Sequence, residues 1–206
     1  GWNLAELKCA RRISFDVSDW LEADLRARGI EFVRESAALA DGSADVVLCH
    51  HMLEHALNPA ASLAEVRRVL KPGGVFIFNV WDRLDSNAYA EITTRALESM
   101  FPNDPPRFLP RTPYGYNDPE ILRQDLAKGG FTASPEIIAV PCPSSAASCE
   151  AVAIGYCQGT PLRGEIEARG GQLSEATKVV AEALGKKYGA GTVNAQIQAV
   201  VVTVQR

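Results

Sequence analysis

Residues 58–81 read NPAASLAEVRRVLKPGGVFIFNVW. Asn58 can cap a helix, and Pro59 suits its first position because the proline lacks only an amide that would be unpaired anyway. Leu63, Val66, Val69 and Leu70 then recur at helical spacing on one face. Lys71-Pro72-Gly73-Gly74 stops that helix, and Val75–Trp81 is the strongest strand pattern in the chain. The same rhythm extends upstream. Ile13–Val17 reads as a strand. Ser18 or Asp19 caps a helix running to about Arg28, with Gly29 at its end. Ile30–Val33 is a second short strand. Asp41-Gly42-Ser43 signals a turn, and Ala44–Cys49 reads as a buried strand. Strand and helix alternating in this way predict an α/β fold: a Rossmann-like, mainly parallel sheet with helices on both faces.

Downstream the pattern changes. Residues 83–117 hold a helix over about Asn87–Phe101 and then a proline-rich stretch, Pro102 to Tyr116. An insertion of this kind after a core strand reads as a lid or substrate wall. Asp118-Pro119 opens another helix that Gly129-Gly130 closes. Phe131–Val140 reads as a strand interrupted at Pro135. Residues 141–160 show no period. Ser174 is placed as the cap of a last helix, and Val193–Val204 as a final strand. The chain is therefore expected to form one domain over 1–206, with 141–206 as an extension that completes the sheet.

Of 206 residues, 47% are hydrophobic and 22% charged, which excludes wholesale disorder. Apolar runs such as Val75–Trp81 are far shorter than the ~20 residues of a membrane helix, so no membrane partner is expected. The net charge of -4 argues against nucleic acid as a partner. The five cysteines (Cys9, Cys49, Cys142, Cys149 and Cys157) are odd in number and lack CxxC spacing, as expected for free thiols in the cytoplasm.

Several residues could carry chemistry. Asp16 ends a strand, where ligands bind in open α/β sheets, and its carboxylate could accept both hydroxyls of a ribose or merely cap the next helix. His50, His51 and His55 are all the histidines of the chain. His51 and His55 would share a face if the segment were helical. HExxH is absent and no second ligand cluster is visible, so no metal is expected. A histidine general base is the better reading, because imidazole titrates near neutrality. Lys71-Pro72-Gly73-Gly74 is no phosphate cradle, since it follows a helix and precedes a strand. Trp81 and Asp82, at the end of the strong strand, could wall a pocket and orient a substrate.

The ordered set resembles the class I S-adenosylmethionine-dependent methyltransferases of the type 11 small-molecule group. It consists of Asp16 after a strand, Gly42–Val47 leading to His50–His55, Glu65–Gly74, and the strand to Trp81. The motif resemblance covers about Gly1 to Val140, and Gly155–Arg206 also looks like the C-terminal region of some members. It implies S-adenosyl-L-methionine as cofactor and S-adenosyl-L-homocysteine as product. It further implies Asp16 at the ribose with Val17 beside it, Ser36 and Ala37 near the adenine, and Cys49 and His50 close to the methyl group. His51 and His55 would flank the site as further candidates for catalysis. Trp81, Asp82 and Tyr114 would contact a small-molecule acceptor.

The family's glycine-rich motif should stand some 17–20 residues before Asp16, and only Gly1 is placed as its last glycine. The expectation is a sheet without the first strand, with exposed edges on two neighbours. It would repack smaller, bind cofactor weakly or not at all, and could gain from a strand-swapped homodimer. The alternative function is an inactive binding or oligomerising module.

Overall fold

The computed structural model describes residues 2–206, so the expected role of Gly1 lies outside the described residues. Helix α1 (Trp2–Glu6) leads into strand β1 (Ile13–Phe15), helix α2 (Glu22–Ala27) and strand β2 (Glu31–Val33). Strand β3 (Ala44–His50), helix α3 (Pro59–Val69) and strand β4 (Leu70–Trp81) follow. Then come helices α4 (Ala88–Met100), α5 (Phe108–Arg111) and α6 (Pro119–Lys128), and strand β5 (Glu136–Ala146). Helices α7 (Cys149–Gly159), α8 (Leu162–Ala168) and α9 (Leu173–Tyr188) precede the last strand, β6 (Val193–Gln205).

Among the described residues the strands form two sheets. One is the parallel pair β1–β2, and the other has the order β3-β4-β6-β5. Strands β3 and β4 run parallel, whereas β6 is antiparallel to both β4 and β5. The α/β class is as expected, and the antiparallel turn is confined to the C-terminal strands. β3 and β5 are the edge strands of the larger sheet, and Val46 on β3 is 52% exposed. Phe15, Val17 and Trp20 are also exposed around the end of β1.

The core follows from β4. Phe76, Phe78 and Val80 are at most 1% exposed and point to one face. There they meet Leu63 of α3, Leu122 and Leu126 of α6, Phe131, and Val200, Val202 and Val204 of β6. Asn58 caps α3 as expected, its side chain accepting from the Ala61 amide at 3.1 Å. A separate cluster gathers α4, α7, α8 and α9 around Leu97, Ala153, Ile166 and Val180. The β1–β2 pair keeps its own small cluster of Leu25, Ile30 and Phe32.

Some expectations need correction. The segment 141–160, read as shapeless, is the end of β5 followed by α7, which Ser148 caps by accepting from the Ala151 amide. Ser174 is not a cap, because α9 starts at Leu173 with Gln172 before it. Pro135 does not interrupt a strand but precedes one, since β5 starts at Glu136. Lys71–Gly74 is extended backbone within β4 rather than a break ahead of it. Gly73 takes φ +77 there, and a Cβ on Gly74 would lie 2.9 Å from the Lys71 carbonyl oxygen and 3.1 Å from that of Asp45. Two glycines are thus needed where β4 bulges against β3.

Candidate active site

The parallel pairing of β3 and β4 sets His50 directly beside Asn79. The ladder continues one residue further, with the His51 amide donating to the Asn79 carbonyl at 3.0 Å. His51 then takes φ +47, a left-handed conformation uncommon for a side-chain-bearing residue. That turn brings its ring onto Trp81, stacked at 4.2 Å. It also rules out the helical face expected for His51 and His55: Leu53–His55 form only a short 3-10 turn. His55 is exposed and its ring has no hydrogen-bond partner among the described residues.

A relay results. His50 Nδ1 lies 2.6 Å from Asn79 Oδ1. Asn79 Nδ2 lies 2.6 Å from His51 Nε2, and His51 Nδ1 lies 3.3 Å from Glu54 Oε1. The Glu54 side chain is wholly buried, so its carboxylate demands a donor. His51 Nδ1 must therefore carry its proton and donate to Glu54. His51 Nε2 is then an acceptor, which turns the Asn79 amide so that Nδ2 donates to it and Oδ1 accepts from His50 Nδ1. The relay ends at His50, whose Nε2 is left with a free lone pair on an exposed ring. Four side chains thus fix one tautomer of one histidine. Glu54 Oε2 has no partner among the described residues.

Cys49 sits one residue before His50. Burial first, and then the Glu54 carboxylate, push its thiol up to about 12. It stays protonated at neutral pH and serves as packing, not as a nucleophile. At pH 8 a thiol reagent should modify the exposed Cys9 and Cys142 while sparing Cys49, as mass spectrometry of digested peptides would show. Thiolate ionisation at Cys49 occurs more readily in the unfolded chain, so its contribution to stability is lost as pH rises from about 9 towards 12.

Asp16 lies just past β1, with its amide donating to the Val33 carbonyl at 3.2 Å. Oδ1 accepts from the Ser18 amide at 2.9 Å, and Oδ2 is left for a ligand on an exposed side chain. Val17 beside it is exposed, as is Ala37. Ser36 is less free: its carbonyl accepts from Arg68 Nη2 at 2.9 Å. The Arg68 guanidinium, and then the Ser36 hydroxyl, hold Glu65 below the usual carboxylate range. Asp82 uses both oxygens within the fold, accepting from the Arg83 amide and from Gln198 Nε2 at 2.7 and 2.6 Å. Trp81 and Tyr114 do come together, with ring centroids 5.8 Å apart. Asn79 and Glu54 escape a reading of motifs, because both act through a histidine that only the folded chain brings to them. Among the described residues no group of histidines, cysteines and carboxylates could hold a metal, and no helix is long and apolar enough to cross a membrane.

Residues 2–78, which end within β4, match the family model described as a methyltransferase domain. That stretch, under half of the chain, is similar to a methyltransferase domain. The fold of the chain agrees: a Bacillus halodurans structure assigned as a methyltransferase superposes with a TM-score of 0.54 at 14% identity, covering 95% of this chain and 83% of that one. The chain is also similar to the dimethylglycine N-methyltransferase of Parasynechococcus marenigrum, 37% identical over 37% of this chain and 26% of that protein. Similarity to the ubiquinone biosynthesis O-methyltransferase of Paraburkholderia xenovorans is 39% over 32% of this chain and 29% of that protein. The chain thus spans about a quarter of the length of these curated relatives. The matched stretch contains Asp16, His50, His51 and Glu54, and it stops one residue short of Asn79.

Proposed function

We propose that the domain transfers the methyl group of S-adenosylmethionine to a small-molecule acceptor that must lose a proton in the reaction. The relay carries this reading, because a histidine held in one tautomer with its outward nitrogen free is built to take a proton. S-adenosylmethionine, when bound, supplies a methyl carbon already activated by its sulfonium sulfur. The donor chemistry of the site suits that molecule. Asp16 Oδ2 is free to accept from a ribose hydroxyl, and the end of β3 offers an imidazole base beside a thiol that stays protonated. His50 Nε2 takes the acceptor's proton. The resulting imidazolium keeps its Nδ1–H on Asn79 Oδ1, and Asn79 is oriented by His51 and the buried Glu54 carboxylate. Trp81, braced by His51, walls the site and excludes water. The five free thiols suit a reducing cytoplasm.

Titration calorimetry with S-adenosylmethionine and S-adenosylhomocysteine tests the reading. Both should bind, and Asp16→Ala should weaken them roughly tenfold or more through the lost charge-assisted hydrogen bonds. The open edges at β1 and β3 favour one other reading, a non-catalytic module that pairs with a second copy by exchanging strands. A folded protein that binds neither compound and sediments as a dimer would select it.

A further inference from the structure

Trp81 has a second neighbourhood. Beside it a cleft of about 310 Å³ opens between β4, β5, β6 and helices α4 and α7. Tyr89, Val152, Gly155, Tyr156 and Ile197 line it with Trp81, and no lining residue carries a charge. Its volume is at the small end of the ~300–1,000 Å³ of ligand pockets, enough for one or two rings.

The polar groups of the cleft are few and mostly spent. The Tyr89 hydroxyl donates to the Val193 carbonyl at 3.0 Å, and Thr160 Oγ1 donates to the Tyr156 carbonyl at 2.7 Å. Two hydroxyl functions keep spare capacity. Tyr156 and Tyr114 face each other at 3.3 Å, so one phenol donates to the other and a single phenolic proton remains for a ligand. Burial pushes the ionisation of both phenols up, so that proton stays in place. The Ser144 hydroxyl has no partner among the described residues.

Gly155 adds a separate observation. It lies inside α7, where glycine weakens a helix, yet a Cβ there would meet nothing within 4 Å. Gly155 is one of the lining residues, so a side chain there has room to extend over the cleft.

We infer that this cleft holds the methyl acceptor, and that the acceptor is an uncharged, ring-bearing molecule with one hydrogen-bond acceptor for the Tyr114–Tyr156 pair. An ionic substrate would lose hydration there and find no counter-charge. Trp81 joins the cleft to the relay, with His51 on its ring and the cleft against it. The assignment of the occupant as acceptor rests on the proposed methyl transfer, whereas binding of a neutral ring does not.

The test uses the full chain without cofactor. 2-Naphthol, neutral at neutral pH, is titrated by calorimetry beside its anionic relative 2-naphthoate. 2-Naphthol should bind and 2-naphthoate should not. Gly155→Leu should keep or raise the melting temperature, because leucine favours the helix, and should weaken 2-naphthol roughly 10–200-fold by filling the cleft. The same variant should bind S-adenosylhomocysteine as wild type does. Tyr156→Phe should weaken 2-naphthol by a smaller factor. No 2-naphthol binding by the folded chain would overturn the inference, as would equal binding of the anion or indifference to Gly155→Leu. Failure of S-adenosylhomocysteine to bind while 2-naphthol still does would instead remove the methyl-transfer reading and leave the ring site standing.

Discussion

His50→Ala lowers the rate of methyl transfer about 10²–10⁴-fold, the usual contribution of a positioned general base. On the proposed mechanism the loss should fall on kcat, because there the histidine takes the proton that leaves during reaction. Asn79→Leu gives a smaller fall, since the base remains but its tautomer is no longer imposed. The two effects should not add in the double variant, as Asn79 acts through His50. Single-turnover assays with saturating S-adenosylmethionine separate these losses from changes in binding. A His50→Ala protein that turns over like wild type would remove the base from the mechanism.

Phe76→Ala is expected to have the largest effect on stability. Phe76 is fully buried, stacked on Phe78 at 4.9 Å and on Phe131 at 6.0 Å. It sits in the middle of β4, between β3 and β6 in the larger sheet. Truncation leaves a cavity between the sheet and α3 and α6, which costs about 3–5 kcal/mol. For a chain of this size that is a fall of roughly 6–20 °C in melting temperature. Scanning calorimetry measures it directly. A shift under about 2 °C would mean that the sheet relaxes around the lost ring.

How much was legible in the sequence depended on how local each cause is. The cap at Asn58, the stripe on α3 and the apolar run of β4 are set by residues close in sequence, and all three were readable. Helix α7 was not. It packs on α8 and α9 through Val152, Ala153 and Cys157, but its exposed face carries Ala151, Ile154 and Gly155, so that face is apolar too. Without a polar face there is no 3.6-residue period to detect. The histidines were legible as candidates, but the relay was not: Asn79 lies 28 and 29 positions from its two partners. His51 and His55 would share a face only in a helix, and the φ of +47 at His51 excludes one.

That dihedral has a consequence for how the domain can change. A side chain held in the left-handed region costs about 1–2 kcal/mol that glycine would not. Glycine at position 51 would therefore relax the backbone, but it would also remove the imidazole linking Glu54 to Asn79 and bracing Trp81. Thermostability and turnover are set against each other at a single residue. A screen for heat resistance alone would drift towards glycine there, and a screen for activity would hold the histidine.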